Sequence, residues 1–64
     1  MQQQYSVGYG VAKRLRTLAA SERERAAIER LLDFKGDEQD LRLASAMLER
    51  HGEGDDAREL LSIL

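Results

Sequence analysis

Large apolar side chains recur three and four residues apart along this chain, in short runs, and nowhere alternate with polar ones. A helix gathers positions i, i+3, i+4 and i+7 on one side, whereas a half-buried strand needs a period of two. The expected fold is therefore all-α, a small bundle of three to four short antiparallel helices. Proline is absent, and the abundant Ala, Leu, Glu and Arg all favour helix. With 64 residues the chain makes one domain, 1–64.

The breaks between runs set the helices. Residues 1–6 are polar and read as a frayed start. Val11, Leu15 and Leu18 form the stripe of a first helix over about residues 10–20, and Val7 would extend it one turn back. Gly8 and Gly10 weaken any earlier start. Ser21 and Glu24 have the spacing of a capping box, opening a second helix with Ala27, Ile28, Leu31 and Leu32 on one face. Phe34 would sit beside Ala27 and Leu31, Lys35 suits the negative helix end, and Gly36 can take a left-handed stop. Asp37 then caps a third helix after a link of about two residues, which makes the two helices neighbours. Its stripe is Leu41, Ala44, Met47, Leu48 and His51, and Gly52 ends it. Asp55 or Asp56 caps the last helix, whose face is Ala57, Leu60, Leu61 and Leu64 and which runs to the chain end.

Stability must come from packing or association. Without cysteine there is no disulfide, and one His without thiolates gives no structural zinc site. A chain this small then depends on close helix packing or on a partner. No apolar run is long enough to cross a bilayer, and Met1–Ser6 has no basic start or apolar core of a signal peptide. The expected location is the cytoplasm.

Little in the chain suggests chemistry. Ser6, Ser21, Ser45 and Ser62 lie in no nucleophile-elbow context. The acid pairs Glu22/Glu24, Asp37/Asp40 and Asp55/Asp56 sit at helix starts, where open N–H groups and the dipole account for them. His51 reads as a cation at a helix C-terminus. No enzyme activity, cofactor, metal or small-molecule substrate is expected.

Charge is unevenly spread. Residues 1–25 hold five Lys/Arg and two Asp/Glu, whereas residues 26–64 hold five and ten. Such halves can complement one another between subunits or steer a partner. Tyr5 and Tyr9 would share a helix face beside Lys13, Arg14 and Arg16, while Leu43 and Ile63 lie off their helix stripes. Together with Phe34, these eight residues are the expected partner-binding set. The leading reading is a small non-enzymatic protein-interaction module, an accessory or regulatory subunit or inhibitor of a larger protein, or a homodimer. The alternative is a nucleic-acid-associated regulator in which Lys13, Arg14, Arg16, Arg23 and Arg25 meet phosphates. The acidic balance of the whole chain, with an isoelectric point near 5.3, speaks for the former.

Residues 38–64 resemble a tetratricopeptide-type helical hairpin. Leu41, Ala44, Ser45 and Leu48 occupy that repeat's large, large, small and large positions of the first helix, and Gly52 its turn glycine. Asp55 and Asp56 match the acidic pair before the second helix, Ala57 its small position, and Leu61 and Leu64 the packing positions that follow. Leu41 stands where the repeat has Trp, Gly54 where it has an aromatic, and no Pro follows. The resemblance implies a peptide- or protein-binding role.

Overall fold

The computed structural model describes residues 4–64. They form four helices, α1 (Tyr9–Leu18), α2 (Glu22–Leu32), α3 (Glu38–Arg50) and α4 (Gly54–Leu61), and among them there is no strand longer than a single bridge. The small all-α bundle expected from the apolar spacing is what the chain adopts. Of the residues expected to fray, 1–3 lie outside the described ones. Tyr5, by contrast, donates its N–H to the Gly36 carbonyl at 2.7 Å and accepts from the Gly36 N–H at 3.2 Å. Residues 4–8 thus run as an extended strap across the α2–α3 turn, and Val7, buried, belongs to this strap and not to α1.

Helix α3 is central: it packs against α1, α2 and α4. Its buried residues Leu41, Ala44, Ser45, Met47 and Leu48 therefore cover more than one stripe. Around it gather Ala12 and Leu15 from α1, Ile28 and Leu31 from α2, and Ala57 and Leu60 from α4. Small residues bring α3 and α4 together, and the buried Ser45 hydroxyl donates to the Ala57 carbonyl at 3.1 Å. His51, read as part of the α3 stripe, is exposed at the C-terminal cap, because the helix has already turned away from the core there.

Side chains mark the helix starts. Ser21 Oγ accepts from the Glu24 N–H at 3.3 Å, as its spacing foretells. The return arm differs: the Glu24 carboxylate takes the Ala20 N–H at 2.8 Å and not that of Ser21. This is possible because α1 stops at Leu18, two residues short of the expected end, and Ala19 is extended (ψ 130°). At α3 the box is complete: Asp37 accepts from the Asp40 N–H at 2.8 Å, and Asp40 accepts from the Asp37 N–H at 3.3 Å. Neither Asp55 nor Asp56 caps α4. Glu53 holds the cap position without a side-chain capping bond, and both aspartates lie in the first turn. The helix ends before the chain does, with Ser62 closing it by donating its hydroxyl to the Glu59 carbonyl at 2.6 Å.

The stop of α2 also departs from expectation. The left-handed residue is Phe34, at φ +62°, and not Gly36. Lys35 N–H reaches the Arg30 carbonyl at 2.7 Å and Phe34 N–H the Leu31 carbonyl at 3.4 Å, the paired bonds of a Schellman stop. The link to α3 is accordingly residues 33–37, longer than expected. Gly36 is needed for room instead. A Cβ there would fall 2.8 Å from Leu31 Cγ and 3.2 Å from Leu31 Cα, so only glycine lets the strap, the turn and α2 meet.

Candidate functional site

Helices α1 and α4 both rest on α3, yet among the described residues no Cα of one comes within 8 Å of the other. The gap between them is a groove of about 510 Å³. One wall consists of Val7 and Gly8 of the strap with Gly10, Val11 and Arg14 of α1, the other of Asp56, Glu59 and Leu60 of α4 with Ile63 just after it; Leu48 of α3 lies between them. Val7, Leu48 and Leu60 are buried, whereas Val11 is 39% and Ile63 50% exposed. Val11 was expected in the core stripe of the first helix. It faces the groove because the fourth helix that would cover it stands off to one side.

The two lips differ in charge. The Arg14 guanidinium donates to both Glu53 carboxylate oxygens at 3.1 Å. These bonds, and behind them the Coulomb pull of Glu53 and Asp56, raise its pKa further. The pair latches α1 to the α3–α4 turn and leaves little free positive charge. Asp56 and Glu59 are exposed, and neither forms an ion pair with the described residues. The groove therefore has an apolar interior and a net acidic α4 lip.

Of the eight residues expected to bind a partner, only Arg14 and Ile63 line this groove. Tyr5 is half-buried against the core in the strap and shares no helix face with Tyr9, which begins α1 and is 70% exposed. Lys13 is exposed beside it. Arg16 faces the other way and pairs with Glu29 on α2 at 2.6 Å. Phe34 projects from the α2–α3 turn, 70% exposed and not stacked on α2, and Leu43 is half-buried on α3. The eight-residue set read from sequence leaves out Val7, Gly8, Gly10, Val11, Leu48, Asp56, Glu59 and Leu60, all of which line the groove. The spacing Val7, Val11, Arg14 does carry one face, but nothing local says whether another helix covers it.

Among the described residues every buried side-chain nitrogen or oxygen has a hydrogen-bond partner. No buried side-chain polar atom among them thus waits for a small polar ligand. No group of three or more His, Cys, Asp or Glu among them is placed to hold a metal ion, and no helix of theirs is long and apolar enough to cross a membrane. The basic set of the first half is largely engaged: Arg14 with Glu53, Arg16 with Glu29 and Arg25 with Glu22, leaving Lys13 and Arg23 without an ion pair to the described residues. No protein-family model, curated protein or solved structure matches this chain.

Proposed function

We propose that this chain is a protein-interaction module whose α1–α4 groove receives an amphipathic helix from a partner protein. The observation that carries this reading is the open seat itself, two helices held apart over Leu48 with Val11 and Ile63 left uncovered. A guest helix laid there would complete the layer above α3, with anchors at i, i+3 or i+4, and i+7 filling the apolar interior. In this reading residues 38–64 serve as a single tetratricopeptide-like hairpin, whose buried Ser45 and Ala57 keep α3 and α4 close while α1 supplies the opposite wall.

The test is a titration of the isotope-labelled chain with a designed amphipathic helical peptide of roughly 14 residues, about 21 Å long. Amide shifts are expected at Val7–Val11 and Leu60–Ile63. Combined Val11→Asp and Ile63→Asp, both at exposed positions, should abolish them while the helical spectrum persists. Equal binding by that variant overturns the proposal. So do sedimentation showing that the groove is closed by a second copy, and nucleic acid that shifts Lys13 and Arg23 when the peptide shifts nothing.

A further inference from the structure

The two walls of the groove also specify what kind of helix fits, given that docking reading. On the α1 side the wall is bare backbone. Gly8 and Gly10 both line the groove, neither has the positive φ that calls for glycine, and a Cβ built at either would meet nothing within 4 Å. Gly10 lies inside the first turn of α1, where Ala would make the better helix. Nothing inside the described fold therefore requires glycine at these positions. Bare backbone on a groove wall lets a second helix approach closely from outside. On the α4 side the wall carries Asp56 and Glu59, exposed and unpaired among the described residues, while the one cation of the groove is held by Glu53.

We infer that the guest is an amphipathic helix with Lys or Arg flanking its apolar stripe, lying with its backbone close against Gly8 and Gly10 and its cations over Asp56 and Glu59. Anionic helices and nucleic acid are disfavoured by the same lip. The Arg14–Glu53 latch adds to the selection, since it engages the one cation that lines the groove among the described residues.

Two designed peptides with one apolar stripe separate the parts of this inference, one flanked by Lys and Arg and the other by Glu. The basic peptide should bind roughly three- to ten-fold tighter, as two or three exposed charge pairs allow. The preference should shrink as salt is raised. Combined Asp56→Asn and Glu59→Gln should level the two affinities without moving the groove shifts. Gly10→Ala should raise the melting temperature yet weaken both peptides by roughly ten-fold, because the methyl occupies the approach. Equal affinity of both peptides for the unaltered groove overturns the charge assignment and leaves the docking reading intact. Unchanged peptide affinity in Gly10→Ala overturns the close approach. Absence of groove shifts with either peptide removes the docking reading itself.

Discussion

At Phe34 and Gly52 the same Schellman stop is built twice, once on a bulky aromatic at φ +62° and once on glycine at φ +78°. Gly52 repeats the bonds of the first stop, its N–H reaching Glu49 at 3.1 Å and the Glu53 N–H reaching Leu48 at 2.9 Å. An L side chain in this region crowds its own carbonyl at a cost of about 1–2 kcal/mol, which glycine avoids. Phe34 recovers little of that by burial, being 70% exposed. Phe34→Gly should therefore stabilise the fold by about 1 kcal/mol, read as a melting temperature higher by roughly 4–8 °C. Gly52→Ala should lose about 1 kcal/mol in the same assay. Gly36→Ala should cost about 1–3 kcal/mol in urea unfolding for a different reason, the overlap with Leu31. Giving the left-handed stop to Gly36 and not to Phe34 was the natural error from sequence, since glycine is the usual left-handed residue and the steric demand at Gly36 exists only once the strap is in place.

Two buried carboxylates join helix starts to distant arginines. Asp40, 6% exposed, receives both ends of the Arg30 guanidinium at 2.7 and 2.8 Å and the Asp37 N–H besides. Those bonds, the Arg30 ones foremost, hold its pKa below the ordinary aspartate value. Glu24 is lowered first by the Ala20 N–H and then by Arg50 at 3.1 Å, which ties α2 to the end of α3. A carboxylate whose folded pKa is depressed stabilises fully above its unfolded pKa and loses that contribution as pH falls through the folded one. Urea midpoints should thus be flat from neutral pH down to about 5, then fall below about pH 4. Asp40→Asn should lower the neutral-pH stability by about 1–3 kcal/mol and shallow the acid decline, with helix content preserved. A decline of unchanged steepness in both Asp40→Asn and Glu24→Gln would exclude these two groups as its source. Helix starts such as Ser21 and Asp37 were legible in sequence because the capping side chain and the N–H that donates to it lie three residues apart. The Arg30 and Arg50 partners were not, since ten and twenty-six residues separate them from Asp40 and Glu24.

On the scale of the whole molecule one small core carries the stability. A 64-residue domain holds in the range of about 3–10 kcal/mol. Leu41, fully buried on the central helix, should cost about 2–5 kcal/mol when cut to Ala, leaving much of the chain unfolded by circular dichroism at room temperature. The fold class and most of this core could be read from apolar spacing, because each stripe is a local property of one helix. The groove could not, because it is a distance between α1 and α4 set by how both sit on α3. Val11 and Leu60 look like core residues in any window, and only the missing neighbour makes both of them walls and leaves Val11 exposed. The strap from Gln4 to Gly8 links these facts in time as well as in space. Its main-chain bonds at Tyr5 and at Val7, whose N–H meets the Leu31 carbonyl at 3.4 Å, clip the approach to α1 onto the end of α2 and the turn that follows it. Unzipping that clip would let the α1 wall swing free, so a guest that seats against the wall is also paying to keep the clip shut. Hydrogen exchange at the Tyr5 and Gly36 amides, outside the groove, should slow when the groove is filled; the visitor at one face would be felt as a tightened fastening at another.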